Sequence, residues 1–83
     1  MKEVSVPAAI SMLAEITGRR IPGPDVLFGT LGLDSLQSIE WLTRLEDELE
    51  IEFDLRALNF YAFADKSIAD VLGVLHEYAA AVE

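Results

Sequence analysis

The sequence contains no cysteine, so disulfides, thiolate metal sites and a cysteine nucleophile are excluded together. Basic residues are scarce, six against fifteen acidic ones, for a net charge of -9. Such a surface repels phosphate backbones and anionic lipid. It argues against nucleic-acid and membrane partners and for a partner with a basic face. No apolar run approaches the roughly 20 residues of a spanning helix. The stretch Pro7 to Ala14 is bracketed by Glu3 and Glu15, with only Lys2 positive, which does not make a secretory signal. Strict apolar/polar alternation is never sustained, so strands are not expected. The chain reads as a soluble, cytoplasmic, monomeric domain that begins at its own Met1.

Apolar mass is what the chain does have. A hydrophobic fraction of 52% and a mean hydropathy of +0.31 exclude disorder. Eighty-three residues suffice for one compact domain, spanning 1–83. Four helical stretches are expected, making a small all-α, four-helix bundle with a long first loop and a short third helix. The first runs from Pro7 to Thr17 and stops at Gly18. Gly18, Gly23, Gly29, Gly32, Pro22 and Pro24 then forbid a continuous helix as far as Leu33. Loops above about 12 residues are often functional, and Val26, Leu27, Phe28, Leu31 and Leu33 can fasten this one to the core.

The second helix is expected over Ser35 to Leu49 and the short third between Leu55 and Ala64, with Asp54 as its N-cap. The last follows Ser67, which with Asp70 makes a capping-box-like start. Its stripe is Ile68, Val71, Leu72, Leu75, Tyr78 and Ala79. Gly73 lies off the stripe and weakens the helix by about 1 kcal/mol relative to Ala.

On a helical wheel, Ile39, Leu42, Leu45 and Leu49 of the second helix fall within roughly 120°, with Trp41 at the edge. Leu36 projects away from that arc, beside Glu40, Thr43 and Asp47. An outward leucine among carboxylates suits a docking surface, although single exposed leucines are common. Asp34, Glu40, Glu46, Asp47, Glu48, Glu50, Glu52 and Asp54 place over half of the acids in a quarter of the chain. A solvated helix face accounts for such a run, and so does steering toward an Arg/Lys-rich partner.

At the start of this helix, Asp34 can cap and Gln37 can reach back from the third position. Ser35 then sits in the first turn with an exposed hydroxyl. A helix N-terminus favours anionic groups by about 0.3–1 kcal/mol, so a phosphate ester there is well placed.

The run Leu31 to Leu49, LGLDSLQSIEWLTRLEDEL, resembles the attachment segment of acyl carrier proteins. Size, helix order, long first loop and short third helix extend the likeness over the whole chain. The resemblance implies a non-catalytic carrier with 4'-phosphopantetheine, received from coenzyme A, on Ser35. Asp34 would assist recognition by the phosphopantetheinyl transferase, and Leu36, Glu40, Thr43 and Asp47 would face partner enzymes. Those partners would be acyltransferases, ligase or adenylation enzymes, or synthases with basic docking surfaces. Against the family pattern, Thr30 and Gln37 stand where acids are frequent, and Arg44 interrupts the negative face. These departures favour a discrete carrier of polyketide or nonribosomal-peptide type over primary fatty-acid synthesis.

Trp41, Phe53, Phe60, Tyr61 and Phe63 are expected to fill the interior, leaving a long acyl chain little room and holding cargo near the surface. Enzyme readings fare poorly. A serine hydrolase needs a base, and the lone histidine, His76, lies off the apolar stripe and reads as a solvated surface residue. No Gly-x-Ser-x-Gly surrounds Ser35, and Glu46 to Asp54 lacks the spacing of a calcium loop. The remaining alternative is an acidic helical interaction module that is never modified.

Overall fold

The computed structural model describes residues 3–54 and 60–82. Three α-helices, α1 (Val6–Thr17), α2 (Ser35–Leu49) and α3 (Ile68–Val82), pack around one core. Two 3-10 turns, Phe28–Leu31 and Phe60–Phe63, lie between them. Among the described residues there is no strand, only an isolated bridge between Leu27 and Ser67. Among the described residues the all-helical expectation is met, with three α-helices; a fourth is not seen among them. The expected short third helix lies partly outside the described residues, and its later part is the 3-10 turn at Phe60–Phe63.

Each helix begins and ends on local chemistry. Ser5 caps α1 by accepting from the Ala8 N–H at 3.2 Å, and Gly18 closes it in the left-handed region at φ 68°. At the head of α3, Ser67 Oγ accepts from the Asp70 N–H at 3.1 Å. The anticipated α3 stripe is buried throughout except for Tyr78, which is half-buried with its hydroxyl accepting from the Asp54 N–H.

Helix α2 presents a different inner face from the one the wheel gives. Trp41 is wholly buried, and its indole N–H donates to the Ala9 carbonyl at 3.3 Å. That bond lets the largest side chain of the helix sit at the centre without an orphaned donor. Phe28 packs on Trp41 with ring centroids 5.4 Å apart, and Phe63 meets Phe28 edge-on at 6.4 Å. With Trp41 inside, Ser38 turns inward too, and Ile39 is displaced outward to 42% exposure. Phe53 is also buried, whereas the side chains of Phe60 and Tyr61 lie outside the described set.

The long loop is sewn to the segment ahead of α3. Phe28 and Gly29 donate to the carbonyls of Lys66 and Ala64, while Ile68 and Ala69 donate to those of Val26 and Pro24. Phe28 and Leu31 are buried, Val26 and Leu33 are partly buried, and Leu27 stays 45% exposed. His76 corrects the surface reading. It is half-buried, and its Nε2 accepts from the Val4 N–H at 3.1 Å, joining α3 to the chain ahead of α1.

Two glycines separate close approach from mere propensity. A Cβ at Gly29 would stand 2.7 Å from the Ala64 carbonyl oxygen, whereas one at Gly73 would meet nothing within 4 Å. Gly29→Ala is therefore expected to destabilise the domain by about 1–3 kcal/mol through overpacking. Gly73→Ala, in an exposed helix interior, should stabilise it by about 0.5–1 kcal/mol. Urea denaturation of both variants checks the pair; equal shifts would contradict the packing at Gly29.

Candidate functional site

The chemistry-bearing end of the molecule is the start of α2. Gly32, in the left-handed region at φ 65°, turns the chain out of the Phe28–Leu31 turn. Asp34 then takes extended backbone at the cap position. Its Oδ1 accepts from the Gln37 N–H at 2.7 Å, and Gln37 Oε1 accepts from the Asp34 N–H at 3.2 Å. Both halves of the anticipated capping box are formed.

Ser35 is the first residue of α2 and is exposed. Its hydroxyl has no hydrogen-bond partner among the described residues. The capping box occupies the Gln37 N–H, and the Ser38 N–H enters the helical ladder at the Asp34 carbonyl. The N–H groups of Ser35 and Leu36 remain, as the first donors of a helix do, without an intrahelical acceptor. No acidic residue occupies the first turn itself; the Asp34 carboxylate at the cap offsets part of the positive end of the helix dipole. A serine hydroxyl with two open N–H donors beside it fits a phosphate ester. His76, the chain's one histidine, is engaged elsewhere, on α3, where its Nε2 accepts from the Val4 N–H.

From Ser35 an outward face runs down α2. Leu36 is 78% exposed, and Glu40, Thr43 and Asp47 are exposed with it. Ile39 joins this face, though the wheel assigns it to the core; the signal that would have moved it is the need to bury Trp41 in full. Leu36 and Ile39 are one helical step apart and make a small apolar patch rimmed by carboxylates. Thr43 commits its hydroxyl proton to the Ile39 carbonyl at 2.9 Å.

Arg44, the cation on this acidic helix, is not bare. It lies 2.6 Å from Glu15 and 3.8 Å from Glu40. Exposed pairs of this kind stabilise little, about 0–1 kcal/mol, but they take the positive charge off the face. The acid cluster also divides by role. Glu46 Oε2 accepts from the Phe53 N–H at 2.7 Å, and the Glu46 carbonyl accepts from Glu50 and Ile51, so Glu46 shapes the turn after α2. That turn requires Glu50 at φ 58°, a left-handed position.

Among the described residues no cluster of His, Asp or Glu is arranged to hold a metal ion, and no helix is long and apolar enough to cross a membrane. In comparisons with known proteins, the family model described as phosphopantetheine attachment site matches residues 8–75, most of the chain. No curated protein and no solved structure matches it.

The cap makes a direct prediction. Asp34→Ala should lower stability by about 0.5–2 kcal/mol, with Asp34→Asn retaining most of it. The urea midpoints of the two variants check this, and an unshifted midpoint for Asp34→Ala would remove the capping box from the account.

Proposed function

The chain belongs to the phosphopantetheine attachment family, whose members carry 4'-phosphopantetheine covalently, and from that premise we propose that Ser35 bears the arm. Asp34 holds the first turn of α2 in place for the transferase. The protein is then a carrier rather than a catalyst, a cytoplasmic monomer that delivers acyl or aminoacyl groups to enzymes with basic docking surfaces. Transferases and biosynthetic enzymes are the partners of such domains.

The observation that supports it best is the exposed, unpartnered hydroxyl at the head of a capped helix within a family defined by that attachment. When bound, the arm supplies a thiol that holds cargo as a thioester. The chain's own residues do the rest. The N–H groups of Ser35 and Leu36 and the positive helix end stabilise the phosphate. Leu36 and Ile39 offer apolar contact, while Glu40 and Asp47 orient a basic partner. Tethering raises the local concentration of cargo at each docked enzyme, and docking must stay weak for the carrier to leave. Phe28, Trp41, Phe53 and Phe63 fill the described interior, which favours cargo held near the surface. Thr30, Gln37 and the paired Arg44 favour a polyketide or nonribosomal-peptide setting.

Ser35→Ala should keep its helical circular dichroism yet gain no phosphopantetheinyl mass on incubation with coenzyme A and a broad-specificity transferase. The native sequence should gain one increment. Absence of that increment in the native protein favours an unmodified acidic interaction module instead. Glu40→Lys or Asp47→Lys should slow processing by partner enzymes several-fold at low salt and little at high salt, without loss of stability. Unchanged kinetics at low salt would remove the α2 face from the docking surface.

A further inference from the structure

A second feature lies along the loop ahead of Ser35, and it has the opposite sign to the rest of the molecule. The chain leaving α1 and the turn before α2 enclose a half-open hollow of about 160 Å³. Arg19 and Arg20 stand on its rim, and Ile21, Val26 and Leu31 form its apolar floor. The only other basic side chains among the described residues are Lys66 and Arg44, and Arg44 is paired with two glutamates. Arg19 is held in place, since its Nη2 donates to the Leu31 carbonyl. Arg20 is exposed and has no partner among the described residues.

The Thr17 hydroxyl commits its proton to the Leu13 carbonyl at 2.9 Å, and the Thr30 hydroxyl commits its own to the Leu27 carbonyl at 2.7 Å. The side-chain donors left free among the lining residues are therefore guanidinium N–H groups, which match a carboxylate in charge and geometry. Reach is not a barrier. Leu31 precedes Ser35 by four residues, so their Cα atoms are at most about 14 Å apart. An extended phosphopantetheine arm is longer than that.

We propose that this hollow receives the end of the cargo when the cargo is a short acyl group terminating in a carboxylate, with Arg20 as the specificity-determining residue and Arg19 as a fixed second donor. The inference rests on Ser35 as the attachment point. An acyl group of a few carbons lies along Ile21, Val26 and Leu31, and its terminal carboxylate meets the guanidinium pair. A neutral group of the same size gains the apolar contact alone.

The test uses the whole protein loaded on Ser35 from coenzyme A analogues in which an amide replaces the thioester, so that the cargo cannot hydrolyse. One sample carries a succinyl group, a second the neutral succinamoyl group. Intact mass first establishes loading; no increment in the native protein overturns the attachment reading and this inference with it. With loading established, the succinyl form should shift the backbone amide signals of residues 17–21 and 30–31 beyond the succinamoyl form. Arg20→Ala should load equally well and lose that difference. Equal shifts for the charged and neutral cargo, or a difference that survives Arg20→Ala, would overturn the proposal while leaving Ser35 as the attachment site.

Discussion

The first N–H groups of α3 have no acceptor within their own helix, and the long loop provides it. Ile68 and Ala69 donate to Val26 and Pro24, and the loop's own Phe28 and Gly29 donate back to Lys66 and Ala64. Buried or half-buried backbone groups must be paired, so this exchange gives a loop with four glycines and prolines to spare only one satisfactory course. Everything at the head of α2 hangs from that course. It sets Phe28 against Trp41, buries Leu31 and delivers Gly32 where the chain can turn into the Asp34 cap. The serine at the helix tip is thus positioned by hydrogen bonds made some thirty residues further along the chain.

Helix α2 serves two surfaces at once. Its inner side is a packing face centred on Trp41, Leu42 and Leu45, each wholly buried. Its outer side carries Leu36 and Ile39 among acids that differ in duty. Glu46 builds the following turn, Glu40 leans toward Arg44, and Asp47 points into solvent. A negative face therefore need not mean that every carboxylate is available to a partner.

Where local chemistry decides, the sequence was readable. The start of α2 follows from Asp34 and Gln37, and the stop of α1 follows from Gly18, because caps involve residues three or four apart. The stripe of α3 was legible for the same reason, as a pattern within one helix. The orientation of α2 was not. A wheel ranks faces by apolar content, yet the true centre is set by where Trp41 finds the Ala9 carbonyl, 32 residues away. That contact sends Ile39 outward. His76 shows the same limit more sharply, since its partner, Val4, is 72 residues distant and no local pattern announces it. At the candidate site, the exposed place of Ser35 at the helix start and the Asp34–Gln37 cap were legible, while the guanidinium-rimmed hollow depends on a loop path that the residues alone do not specify.

The bond between His76 and Val4 has an architectural corollary. It brings the beginning of the chain alongside the last turns of α3, whereas Arg19, just past the far end of α1, reaches Leu31 near the head of α2. The 12 residues of α1 rise about 18 Å between those two poles. The chain entering α1 at Val4 and the last described turns of α3 therefore share the pole remote from Ser35, so that neither crowds the head of α2.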